Sequence, residues 1–213
     1  MAKVFPDLAG GYSGKVGKSL YYRVKKDCFV KTLPEKTTPP TERQSEQQLL
    51  FEMMGQLSGA MAEVSQHGFP KCAKKLWTAP NMFIHVNKGL CTVESTETGA
   101  VSVDYPSMLC AKGNLMMPEV SVTYSEEEHS LSFLATGTDE NYNRCKPDDV
   151  LYAAVLESDL FQCKIVRIGT RGEGGTSSTT LHSLWNKDAL HVYAFATSAK
   201  GKDASRSVYL PIA

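Results

Sequence analysis

The chain has 213 residues, 42% of them hydrophobic and 22% charged, with 23 Lys and Arg against 23 Asp and Glu. This composition excludes a disordered or fibrous chain, and the length suits one large domain or two small ones with a true core. Zero formal net charge leaves no whole-molecule field for nucleic acid or membrane, and no apolar run is long enough to span a bilayer.

Met1-Ala2-Lys3-Val4-Phe5-Pro6-Asp7 lacks the continuous apolar core of a secretory signal. The expected location is therefore cytoplasmic or virion-associated. The six cysteines, Cys28, Cys72, Cys91, Cys110, Cys145 and Cys163, show no C-x-x-C spacing and are expected as reduced, buried thiols.

Gly10, Gly11, Gly14 and Gly17 open the chain's first organised stretch. Leu20-Tyr21-Tyr22-Arg23-Val24 carries the aromatic and β-branched residues of a strand. Lys25-Lys26-Asp27 is a polar turn. Cys28-Phe29-Val30-Lys31-Thr32-Leu33 returns, and Pro34 ends it because it has no N–H to donate. Two readings stand beside each other. The lysines protect a solvated edge from aggregation, or Lys15, Lys18, Tyr21, Tyr22, Arg23, Lys25, Lys26, Phe29 and Lys31 form a partner-binding surface.

Gly14-Lys15-Val16-Gly17-Lys18-Ser19 resembles a phosphate-binding loop only at first sight. Tyr12 stands where that motif needs its first glycine, and a strand follows where it needs a helix.

Thr37-Thr38-Pro39-Pro40 is a stiff connector. Thr41 with Gln44 fits a capping box, and Glu42 suits the first turn. Leu50, Met53, Met54, Leu57, Ala60, Met61 and Val64 recur at three- and four-residue steps, which predicts one long amphipathic helix from Thr41 to its stop at Gly68. The methionines fit ordinary core packing or an adaptable groove. Gly55 and Gly59 each cost about 1 kcal/mol relative to Ala, and close approach of another backbone would compensate.

Phe69 to Leu76 reads as a basic connector. A second helix of about ten residues is expected within Trp77–Lys88, capped by Thr78 or Asn81 and ended by Gly89. Val93 to Gly99 reads as a polar link. From Val101 the pattern becomes short runs of period two. Strands are expected at 101–105, 120–124, 131–135, 150–156, 163–168, 176–181, 191–197 and 207–210, with Met108-Leu109-Cys110-Ala111 a short apolar run. Many short strands, each closed by a turn, indicate a β-sandwich.

Three stretches together resemble a bacterial family of domains of unknown function. They are Ser13-Gly14-Lys15-Val16-Gly17 with Tyr22-Arg23, then Pro40-Thr41-Glu42-Arg43-Gln44 with Phe51, then His191-Val192-Tyr193-Ala194-Phe195 with Ser198-Ala199-Lys200-Gly201-Lys202 and Ser207-Val208-Tyr209-Leu210. The similarity spans nearly the whole chain. Cys28 and Phe29 depart from it, standing where relatives have other aromatic or aliphatic residues. The resemblance implies an N-terminal hairpin and helix joined to an immunoglobulin- or fibronectin-like sandwich, and it brings no activity and no catalytic residues.

The expected fold class is thus α+β. An N-terminal hairpin and helical region (1–99) packs with an immunoglobulin- or fibronectin-III-like antiparallel sandwich (100–213).

No catalytic set emerges. His67, His85, His129, His182 and His191 form no close ligand pair. His129 beside Glu126, Glu127 and Glu128 reads as a solvated turn. Ser13 lacks a nucleophile elbow, and Cys163 has no nucleophile signature. Asp139, Glu140, Asp148 and Asp149 lack calcium-loop spacing. Trp77, Tyr142 and Trp185 form no stacking ladder.

The sequence therefore points to a non-enzymatic structural or interaction protein, without cofactor or metal, that docks or assembles through its N-terminal region. Its expected partner is protein: itself, or a larger assembly such as a virion or filament. Nucleic acid and membrane are not expected. The alternative is a ligand- or carbohydrate-binding sandwich using Tyr142, Asn143, Trp185 and the loop from Thr170 to Gly175.

Overall fold

The expected hairpin is the centre of a four-stranded antiparallel sheet. Its strands are β1 (Ala2–Val4), β2 (Gly14–Val16), β3 (Ser19–Val24) and β4 (Asp27–Thr32), in the order β1-β4-β3-β2. A computed structural model describes residues 13–24, 27–33, 39–70 and 77–212, and the backbone of residues 2–4. Gly17 adopts φ +58 in the tight β2–β3 turn, a conformation that glycine enters without strain. Two strands of this sheet were not expected: β2 lies in the glycine-rich lead and β1 in the segment before it.

Helix α1 (Glu42–Ala60) starts as expected. The Thr41 N–H donates to Gln44 Oε1 at 3.0 Å, the return bond of a capping box. The single long amphipathic helix does not form. The helix breaks at Met61 (φ −88, ψ 13) and resumes as α2 (Ala62–Gly68). Gly59 lies two residues before the break and weakens helical geometry there. The first turns of α1 are polar and mostly exposed, and burial begins only at Met54, Leu57 and Ser58. The close approach expected at Gly55 and Gly59 is also absent, since a Cβ built at either position meets nothing within 4 Å.

Gly68 is the glycine that a neighbouring backbone does require. A Cβ there would run into the Cys110 carbonyl and the Ala111 Cα. Its own carbonyl accepts from the Lys112 N–H at 3.1 Å. Residues 71–76, within the expected basic connector, lie outside the described residues. Helix α3 (Ala79–Val86) begins at Thr78, whose Oγ1 accepts from the Asn81 N–H at 3.4 Å. The segment read as a polar link is instead half of a hairpin, β5 (Cys91–Ser95) with β6 (Ala100–Val103). Residues 96–99 form its turn.

The remaining strands are β7 (Val120–Ser125), β8 (Ser130–Ala135), β9 (Val150–Glu157), β10 (Gln162–Thr170), β11 (Gly175–Thr180), β12 (Leu190–Thr197) and β13 (Val208–Leu210). They form two antiparallel sheets, β11-β8-β7 and β10-β9-β12-β13. Side-chain alternation along β9 and β12 then divides the core. Leu151, Ala153, Val155, Val192, Ala194 and Ala196 face the three-stranded sheet and meet Val122, Leu131 and Phe133. Ala154, Leu156, Tyr193 and Phe195 face the helices and meet Leu57, Met61, Val64 and Phe83. The four-stranded sheet is thus covered on both sides, which explains why β9 and β12 read as nearly continuous apolar runs.

Residues 108–116 form an extended strap between helices and sandwich rather than a strand. Asn87 is buried and clamps it. Its Oδ1 accepts from the Leu109 N–H (2.8 Å), and its Nδ2 donates to the Leu109 carbonyl (2.8 Å) and the Phe83 carbonyl (3.0 Å). Ser207 Oγ accepts from the Cys110 N–H at 3.1 Å. Arg171 Nη2 donates to the Met116 carbonyl at 2.6 Å, and Arg171 Nε lies 3.3 Å from Asp149 Oδ2 in a buried ion pair. No described helix is long and apolar enough to cross a membrane.

Candidate interaction surface

Register sorts the residues of the N-terminal sheet, because directly paired residues of antiparallel strands share a face. Lys15 pairs with Leu20 and Leu20 with Lys31, while Tyr22 pairs with Phe29. These five residues lie on one face. Tyr22 stacks on Phe29 at 5.6 Å between centroids and 22° between planes, with Lys31 Nζ 5.8 Å from the Tyr22 centroid. Leu20, Tyr22 and Phe29 are half-buried, whereas Lys15 and Lys31 are exposed.

The nine residues expected to bind a partner therefore do not converge as one set. Lys15, Tyr22, Phe29 and Lys31 come together. Tyr21 and Arg23 fall on the opposite face, paired with Val30 and Cys28. Lys18 occupies the β2–β3 turn, its carbonyl accepting from the Leu33 N–H at 2.8 Å. Lys25 and Lys26 lie outside the described residues. No described residue of the sheet belongs to either hydrophobic core of the body. β1 and β2 are its two edges.

A second feature was not anticipated. An open groove of about 1330 Å³ runs between α1, α3 and the start of β5. Leu50, Phe51, Met54, Ile84 and Cys91 supply its apolar lining, and Arg43, Glu52 and Lys88 are among its polar residues. The Cys91 thiol is buried 3.5 Å from the Met54 sulfur, and that burial pushes its pKa up. Phe51 is 70% exposed. A phenylalanine among Gln47, Gln48 and Glu52 was the sequence signal for this groove. Helix α1 and the β5–β6 hairpin that packs on it also carry Glu42, Glu46, Glu94 and Glu97.

The alternative loop site does not assemble as expected. Tyr142 does approach the 170–175 turn, since both touch Met116. Tyr142 Oη donates to Met116 Sδ at 3.3 Å, and Arg171 binds the Met116 carbonyl. Trp185 is instead a core residue. It is 7% exposed, with Nε1 donating to Gln162 Oε1 at 2.9 Å. A tryptophan enclosed in this way offers no stacking platform.

His129 and His191 make contacts within the sandwich and with the segment before it. His129 Nε2 lies 3.0 Å from the His182 carbonyl, which can only accept, so Nε2 carries the proton and Nδ1 accepts from Tyr124 Oη at 2.9 Å. His191 stacks on Tyr105 at 3.9 Å and 13°. Among the described residues no three His, Cys, Asp or Glu side chains converge as metal ligands. No family model, curated protein or solved structure matches this chain.

Proposed function

We propose that this chain is a non-enzymatic structural or interaction protein that docks on a partner, or assembles, through its N-terminal sheet and helix α1. One observation carries the reading: β1–β4 form a sheet whose described side chains lie outside both body cores. A sheet with stacked, half-buried aromatics and two edges resembles surfaces that accept another chain by strand addition or face packing.

We also read the seven strands β7–β13 as a fibronectin-like sandwich. The first, second and fifth strands share one sheet, and the fourth pairs with the third rather than joining them. Constant-type immunoglobulin domains place that fourth strand in the other sheet. A rigid body of this kind would hold the N-terminal sheet away from itself.

The test is the native size of the full chain in the lysate of cells that express it. A complex above monomer mass is expected, and Tyr22→Ser with Phe29→Ser should return the chain to monomer. Monomer elution of the unaltered chain would overturn the reading.

A further inference from the structure

We propose that the groove between α1, α3 and the start of β5 binds a free long-chain fatty acid, its carboxylate held by Arg43 and its chain laid on the apolar floor. The inference goes beyond the docking reading above and does not depend on it.

Three observations carry it. The first is charge. Arg43 and Lys88 line the groove against one carboxylate, Glu52. Among the described residues the ion pairs are Arg171 with Asp149 and Lys187 with Glu126, so both groove cations stand unneutralised. Glu52 lies about 13 Å along the α1 axis from Arg43 and half a turn round the helix from it. Glu42, Glu46, Glu94 and Glu97 stand on α1 and the β5–β6 hairpin but outside the lining. An anionic head therefore suits the groove and a cationic one does not. Arg43 offers the planar fork of N–H donors that takes a carboxylate through two parallel bonds.

The second observation is the floor. Leu50, Met54, Ile84 and Cys91 present aliphatic and sulfur surface, with the exposed Phe51 ring beside them. An aliphatic chain laid there removes apolar surface from water on both sides, and the methionine thioether adapts to its shape. The third is form. The groove, at about 1330 Å³, is larger than the roughly 300–1,000 Å³ of a pocket for a compact ligand. It is also long: Arg43 to Met54 covers about 16 Å of helix axis, most of the reach of an extended palmitoyl chain. An elongated ligand with one charged end matches it.

The test is calorimetric titration of the purified full chain with palmitate, below the concentration at which palmitate self-associates and at about pH 8, where its carboxylate is ionised. Saturable uptake is expected. Each buried methylene is worth about fourfold in affinity. Decanoate should therefore bind at least about 30-fold more weakly, since an open groove covers only part of the chain. Hexadecyltrimethylammonium has the same chain length and the opposite charge, and should bind at least about tenfold more weakly than palmitate. The double variant Arg43→Gln with Lys88→Gln should weaken palmitate about tenfold and bring the two probes level. Glu52→Gln should instead tighten palmitate by about twofold, which a variant that merely loosened the fold would not do. All three positions are exposed, so the folded chain should tolerate the changes.

An unaltered chain that takes up no palmitate overturns the inference. So does a double variant that binds palmitate as tightly as the unaltered chain, or a cationic probe that binds as tightly as palmitate. Flotation with anionic phospholipid vesicles, lost in the double variant and without palmitate uptake, would make the ligand a bilayer and also overturn it. None of these results touches the docking reading, whose lysate test reads association rather than uptake.

Discussion

Single residues tie the strap region to the sandwich on one side and to helix α3 on the other. His191 stacks flat on Tyr105, while Tyr193 Oη donates to the Tyr105 carbonyl at 2.8 Å. Burial holds the His191 imidazole below its ordinary pKa of 6.5, against the opposing pull of Asp159. On unfolding, the ring takes up its proton first, near pH 6.5. Its contribution to stability is therefore whole above that pH and declines as the pH falls through it, until the folded value is passed. The thermal midpoint should drop between about pH 8 and about pH 5, and His191→Phe should flatten that part of the drop. Asn87 is the second tie. Asn87→Leu leaves the Leu109 N–H and the Leu109 carbonyl without their partner in a buried site, while the Phe83 carbonyl keeps the backbone N–H of residue 87 at 3.1 Å. Unmade buried hydrogen bonds cost about 1–3 kcal/mol each, so a loss of about 2–4 kcal/mol is expected. It should be read as a lower urea midpoint at unchanged slope.

At the scale of elements, the glycines separate what local pattern can show from what it cannot. Gly55 and Gly59 look alike in sequence to a glycine that lets two backbones touch, yet both face open space. Gly55→Ala should stabilise the chain by about 0.5–1 kcal/mol, the propensity difference. Gly68→Ala should destabilise it by several times that amount, because the methyl meets backbone that cannot rotate away. Chemical denaturation of the two variants should move the midpoint in opposite directions. The seven strands after residue 119, the Thr41 start and the Thr78 cap were legible because alternation, capping and turn residues are local signals. The pairing of β1 with β4 was not, since it depends on what the chain meets far along its length, and the break at Met61 was not, since the apolar stripe runs on past it to Val64. The lysines and aromatics of the hairpin were visible as a set, but their division between two faces needed the register. The groove needed the packing of α3 and β5 beside α1.

For the molecule as a whole, the central fact is a four-stranded sheet with cores on both sides and a separate sheet at the N-terminus. Substitution on either side of β9 or β12 should unfold the body as a unit. Phe195→Ala, facing the helices, should cost about 3–5 kcal/mol. Amide hydrogen exchange should report two levels of protection. β9 and β12 should exchange only with global unfolding, whereas β3 and β4 in the unassembled chain should exchange through smaller openings. Association through the N-terminal sheet should then slow β3 and β4 selectively.

The sulfur chemistry of this fold offers one more consequence. Cys110 and Cys145 are fully enclosed and unoxidised, and burial pushes the Cys110 thiol up to about 12. A thiol in that state scarcely forms the nucleophilic anion at neutral pH. Reagents such as iodoacetamide should therefore leave these side chains untouched until the layers part. The chain thus carries internal clocks: label accumulating at each sulfur would time the opening of its own neighbourhood, with no probe engineered in.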